Sequence, residues 1–226
     1  MTTYWYLYLI FIPLGIVAVT YQPLWRFIWF IDTVFHEFGH GLVSILVGNK
    51  LHGFKLRFNE PGLTLSFTTG PGLRSTASTL AGYPAPIILG GLSLYYTWYG
   101  YSYVFAWIFV GVSLFMAIFI RNLFGFVPLI LVGGLGGLSL WLEQYSSIST
   151  MLFAILMGTL LVFSGVNSIF RMAKSLPEGS DAWALYSQTG IPQRFWFGLM
   201  FLLAVAFIFI YIWLIGWIVN IVSSYI

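Results

Sequence analysis

Apolar residues run along this chain in long blocks with short polar breaks. Tyr4 to Thr20 is the first block, and Tyr21-Gln22-Pro23 interrupts it. Phe27 to Gly48 is the second, followed by Thr79 to Tyr99, Ser102 to Ile120, Leu123 to Leu142, Ile148 to Phe170 and Phe195 to Asn220. Each approaches the ~20 residues that a membrane-spanning helix needs. Two polar stretches stand between blocks. In the first, Phe54-Lys55-Leu56-Arg57-Phe58 and Leu63-Thr64-Leu65-Ser66-Phe67-Thr68 alternate with a period of two around Asn59-Glu60-Pro61-Gly62, which predicts a hairpin. In the second, Ser180 reads as the N-cap of a short helix, Asp181 to Thr189, closed by Gly190 and Pro192. The pattern predicts an all-α polytopic membrane protein of about seven transmembrane helices, with a small β-hairpin after the second, in a single domain over residues 1–226. The third block carries a defect, Ala81-Gly82-Tyr83-Pro84-Ala85-Pro86, which kinks or unwinds a helix. Backbone groups freed at membrane depth need a partner or a water-filled cavity, so this stretch is expected to wall an internal chamber, with a simple packing kink as the alternative.

The second block is apolar except for one stripe. Asp32, His36, His40 and Ser44 recur every four residues and so share a helix face. Within it stands His36-Glu37-Phe38-Gly39-His40, the H-E-x-x-H pattern. Two imidazoles one turn apart can bind one metal ion, while Glu37, about 100° round the helix, is placed to act as a base on water. From the residue counts, chance would supply about 7 × 10⁻⁴ such matches. Two histidines and a glutamate in a membrane-length run are costly and mark function by default. Zinc suits two imidazoles, one further protein ligand and an open position. Asp32, one turn before His36, is a candidate to accept an imidazole N–H and fix its tautomer. The plainer alternative is a surface aspartate with no tie to the metal. Gly39 and Gly41 leave room for a neighbouring helix or a substrate.

Composition narrows the classes. Of 226 residues, 60% are hydrophobic and 7% charged, with a mean hydropathy of +0.93, which excludes a soluble domain. There is no cysteine, so thiolate ligands and disulfides are excluded and the metal must be held by histidine and carboxylate. The net charge of +3 is spread over loops and does not suggest a nucleic-acid partner. The first block lacks a basic leader and a small-residue cleavage site, so it is expected to be a retained helix. With seven spans, Lys50, Lys55, Arg57, Arg74, Arg121, Arg171, Lys174 and Arg194 fall on one side and only Arg26 on the other. The positive-inside rule then puts the N-terminus and both long loops in the cytoplasm.

The third zinc ligand must come from few candidates. Glu37 is the base, Asp32 shares the helix of both histidines, and Glu143 falls at the opposite membrane face. Glu60, Glu178, Asp181 and His52 remain. Asp181 is the preferred ligand, since it opens the short apolar helix Ala182-Trp183-Ala184-Leu185-Tyr186, which can dip into the bundle. The alternative is that Asp181 simply favours the positive end of that helix. Glu178 is the next candidate, and His52 reads as a surface histidine.

These pieces together resemble the site-2 protease family of membrane zinc metallopeptidases, in its compact branch without a PDZ domain. The matching stretches are His36-Glu37-Phe38-Gly39-His40, the hairpin region, Ala81-Gly82-Tyr83-Pro84-Ala85-Pro86, Arg121-Asn122, Ser180-Asp181-Ala182 and Thr189-Gly190-Ile191-Pro192, spread from about residue 27 to 196. One departure stands out: much of the family takes its third ligand from an Asp-Gly pair after an Asn-x-x-Pro-like stretch. Here no acidic residue follows Asn122 before Glu143. The resemblance implies a zinc-dependent intramembrane endopeptidase acting on membrane or membrane-proximal peptide segments. Glu37 would be the catalytic base, and Asn122 a substrate or oxyanion donor. The competing classes are a non-proteolytic membrane zinc hydrolase, a metal transporter and an inactive relative. The other spans are nearly bare of polar residues, which disfavours a transport path. The intact motif disfavours inactivity.

Overall fold

The computed structural model describes residues 6–56, 63–67, 72–175 and 178–223. Among these residues, nine α-helices and one hairpin follow in chain order: α1 (Tyr6–Thr20), α2 (Gln22–Leu46), β1 (Lys50–Lys55), β2 (Leu63–Phe67), α3 (Leu73–Leu80), α4 (Pro84–Trp98), α5 (Ser102–Phe119), α6 (Phe126–Glu143), α7 (Ile148–Ser175), α8 (Asp181–Thr189) and α9 (Gln193–Ser223), with a 3-10 turn, Leu123–Gly125, before α6.

Among the described residues, four helices are long and apolar enough to cross a membrane: α5, α6 with its leading turn, α7 and α9. The number reaches six if two bent pairs each count as one span. This is fewer than the seven expected, and the cause is local chemistry. Pro23 stands in the first turn of α2 and has no N–H to offer the preceding turn, so α1 and α2 meet at a 99° bend. The Val19 carbonyl at that bend instead accepts a hydrogen bond from Asn167 Nδ2 on α7, 3.2 Å away. Asp32, His36, Glu37 and His40 also cut the hydropathy of α2, so the helix with the chemistry does not qualify as a span by itself. The second bend, 56°, separates α3 from α4 at Ala81-Gly82-Tyr83, where the sequence placed its defect.

Helix packing inside lipid relies on close fit and small residues. A Cβ on Gly90 of α4 would stand 2.5 Å from the Gly158 carbonyl of α7, and one on Gly136 of α6 would stand 2.7 Å from the Ala106 carbonyl of α5. The main apolar core joins α2, β1, α5, α6 and α7 through Phe35, Phe54, Phe105, Phe109, Met116, Val132 and Leu161. Phe35 and Phe109 meet with ring centroids 4.7 Å apart, which fixes the back of α2 and turns its polar stripe the other way.

The hairpin lies where the alternation placed it, but its first strand starts earlier. β1 pairs antiparallel with β2 from Lys50 opposite Phe67 to Lys55 opposite Leu63, with an irregularity between Leu51 and Gly53. That bulge hides the period of two, so only the stretch from Phe54 looked like a strand. Gly53 sits at φ 150° against the Phe119 carbonyl, a place with no room for a side chain. The connecting turn, with Glu60, lies outside the described residues. The far edge of β1 is already paired. Phe54 bridges Ile120, the Arg121 N–H donates to the Phe54 carbonyl at 2.9 Å, and Arg121 Nε donates to the His52 carbonyl at 2.7 Å.

Candidate metal centre

The site forms where α2, the α3–α4 break and α8 converge. Helical spacing stacks His36 over His40, with their Nε2 atoms 3.1 Å apart. Asp181, from a helix far along the chain, places Oδ2 3.2 Å from each of those nitrogens. Several contacts seat α8 there. Ala182 and Leu185 are fully buried in a second apolar cluster with Ile87, Ile169, Trp196 and Met200. Gln188 accepts from the Ser75 hydroxyl at 3.0 Å and donates to Thr79 Oγ1 at 3.3 Å, which ties α8 to α3. Trp196 Nε1 donates to Thr189 Oγ1 at 3.2 Å. Ser180 caps the helix, its hydroxyl accepting from the Trp183 N–H. The Asp181 carboxylate is therefore not spent on its own helix end.

His40 Nδ1 lies 2.7 Å from the Ser78 carbonyl. A carbonyl only accepts, so Nδ1 carries the proton, and in the neutral ring Nε2 holds a lone pair. That lone pair faces His36 Nε2 and Asp181 Oδ2. Asp181 Oδ2 is buried and, despite its two close nitrogens, makes no hydrogen bond. The three atoms form a triangle with edges of 3.1, 3.2 and 3.2 Å. Tetrahedral zinc with ligands at ~2.0–2.1 Å needs edges of about 3.3–3.4 Å. The three ligand atoms fit such an ion with small adjustments, and a cation there would give the buried Asp181 Oδ2 a partner.

Glu37 is buried beside them, and the ligand atoms of His36, Glu37 and His40 all lie within 4.8 Å of one another. The α3–α4 break covers the other side. A Cβ on Gly82 would fall against His40 Nε2, 2.5 Å from His40 Cε1 and 2.7 Å from His36 Cε1. Gly82 has no left-handed backbone angle to require glycine. What it supplies is space for the imidazoles. Gly39 does the same for the helix contact, since a Cβ there would stand 2.5 Å from the Ala85 Cβ and 2.6 Å from the Ala81 carbonyl. The Tyr83 ring packs edge-on against His36, with centroids 4.6 Å apart.

The remaining sequence candidates are spread more widely. Asp32 is buried one turn below His36, but its oxygens accept from the Ser164 hydroxyl at 2.7 Å and the Ser168 hydroxyl at 2.6 Å, both on α7. The acceptor for His40 is the Ser78 carbonyl instead. Asn122 stands by the hairpin and clamps Leu56, donating to its carbonyl at 2.7 Å and accepting from its N–H at 3.2 Å. His52 and Glu178 are exposed. Ser78 and Gln188 were not singled out from the sequence, and Gly82 and Tyr83 only as part of the proline-flanked break.

The geometry defines a helical integral membrane protein with a His36–Glu37–His40 cluster able to hold a metal. The chain belongs to the Peptidase M50B-like family, whose model matches residues 9–211. That membership bears out the resemblance to site-2 proteases, a family of metallopeptidases. No curated protein and no solved structure shows a significant match to this chain.

Proposed function

We propose that this protein is a zinc-dependent intramembrane endopeptidase that hydrolyses peptide bonds in or near membrane segments of other proteins. The observation that carries this reading is the triangle of His36 Nε2, His40 Nε2 and Asp181 Oδ2 beside the buried Glu37. In it His36, His40 and Asp181 hold the metal. A zinc ion there supplies Lewis acidity to a water and to the scissile carbonyl.

The chain's own groups do the rest. Glu37 takes the proton of the attacking water and delivers it to the leaving amine, the two-way transfer of a general base turned acid. The Ser78 carbonyl holds His40 in the tautomer that leaves Nε2 free. Gln188 and the α8 core hold Asp181 at its distance. A helical peptide bond is already hydrogen-bonded, so the substrate must be unwound to react. Residues 120–122 occupy the far edge of β1, and among the described residues no strand pairs with the far edge of β2, which is the edge this reading gives to an extended segment. Asn122 acts in this scheme by keeping the hairpin in place through Leu56. In this reading the hairpin and α8 face the cytoplasm, an orientation that the basic residues of their loops support. Incubating the purified protein in liposomes with a single-span substrate tests the reading. Wild type should cleave at a defined bond and Glu37→Gln should not. Equal cleavage by both would refute the mechanism.

A further inference from the structure

Acyl transfer at a peptide bond builds negative charge on the carbonyl oxygen, and a donor aimed at that charge stabilises the transition state. The polar side chains around the imidazoles are almost all committed elsewhere. The Ser75 hydroxyl donates to Gln188, the Ser78 and Thr79 hydroxyls both donate to the Ser75 carbonyl, and the Gln188 amide donates to Thr79. Asn122 is taken up by Leu56. Tyr83 differs. Its ring stands edge-on to His36 at 4.6 Å, and it follows Gly82, whose α-carbon faces both imidazoles. Among the described residues its hydroxyl donates no hydrogen bond.

We propose that Tyr83 is a catalytic residue of this site, its phenolic O–H donating a hydrogen bond to the scissile carbonyl oxygen as that oxygen gains charge. No bond to the tyrosine forms and its proton stays on the phenol, so the proton balance of the reaction remains with Glu37. The placement accounts for the break between α3 and α4. Gly82 and Pro84 end one helix and start the next, and the residue between them packs edge-on against His36. The assignment rests on the peptidase reading given above.

Tyr83→Phe separates the hydroxyl from the ring. The ring contact with His36 is kept, so zinc stoichiometry should stay at the wild-type value while kcat falls about 10²-fold or more at nearly unchanged KM. The second readout is binding of a phosphinic peptide built on the cleaved sequence, whose charged oxygens mimic the tetrahedral species. Its affinity should fall by a similar factor in Tyr83→Phe, while the affinity of the uncleaved peptide for Glu37→Gln and for the Glu37→Gln, Tyr83→Phe pair should agree. A Tyr83→Phe enzyme that keeps wild-type kcat and analogue affinity overturns the role of Tyr83 alone. So does a Tyr83→Phe protein that loses zinc, because the ring and hydroxyl would then serve ligand positioning. A wild-type protein that holds zinc but neither cleaves nor binds the analogue overturns the peptidase reading and this assignment together.

Discussion

Replacing Gly82 with alanine adds one methyl group, and the structure places it against the metal centre. The new Cβ would fall against His40 Nε2, 2.5 Å from His40 Cε1 and 2.7 Å from His36 Cε1, where ordinary contact begins at 3.4 Å. Something must therefore move by close to 1 Å. His40 cannot give easily, because Nδ1 is held by the Ser78 carbonyl at 2.7 Å. The backbone of the break cannot retreat easily either, because Ala81 and Ala85 are packed on Gly39. A metal–nitrogen bond tolerates about 0.2 Å. A shift several times larger should cost one imidazole ligand, or weaken both. We expect a loss in zinc affinity of at least ~10²-fold, which corresponds to about 2.7 kcal/mol. The assay is zinc competition against a calibrated chelator, with far-UV circular dichroism as the check on folding. Gly91→Ala is the control, since a Cβ on Gly91 meets nothing within 4 Å. It should bind zinc as wild type does, and Gly→Ala in a helix favours the helix by up to ~1 kcal/mol. Wild-type zinc affinity in Gly82→Ala would refute the placement of the break over the histidines.

Three other outcomes follow from the same geometry. Asp181→Ala should lose zinc while Ser180→Ala, which removes the cap, should lower stability by about 1 kcal/mol and keep zinc; the reverse pattern in metal analysis would show that Asp181 serves its helix. Asp32→Ala removes the acceptor of Ser164 and Ser168, and thermal unfolding should show a loss of roughly 1–3 kcal/mol with zinc still bound; unchanged stability would mean that the two serines find other partners at no cost. Reporters fused near residue 60 and residue 178 should both report cytoplasm, and a split between them would contradict the charge-based orientation.

Much of this site could be read from local pattern because its parts are local. His36, Glu37 and His40 lie within one turn of one helix, so periodicity alone puts the imidazoles on one face. The Ser180 cap and the Gly190 stop delimit α8 in the same way, and Gly190 takes the left-handed angle that such a stop uses. What the pattern could not decide was where the Asp181 carboxylate points. Capping and ligation are both open to an acid in the first turn, and only the seating of α8 by Gln188, Ala182 and Leu185 separates them. Asn122 shows the converse difficulty. A polar residue at a helix start looked available to a substrate, but it is matched to the Leu56 backbone on a distant strand, and no local signal encodes such a pairing. The span count missed for a related reason. The polar stripe of α2 and the Pro23 bend are visible in sequence, yet the angle between α1 and α2 depends on what α7 offers them, including the Asn167 amide.

The central claim is that His36, His40 and Asp181 hold one zinc ion for Glu37 to work beside. The most direct measurement is zinc per chain in purified wild type, compared with His36→Ala, His40→Ala, Asp181→Ala and Glu37→Gln prepared in parallel by the same route. One zinc in wild type and Glu37→Gln, with a steep loss in the other three, is the predicted result. Zinc retained in Asp181→Ala, or lost in Glu37→Gln, would contradict the account.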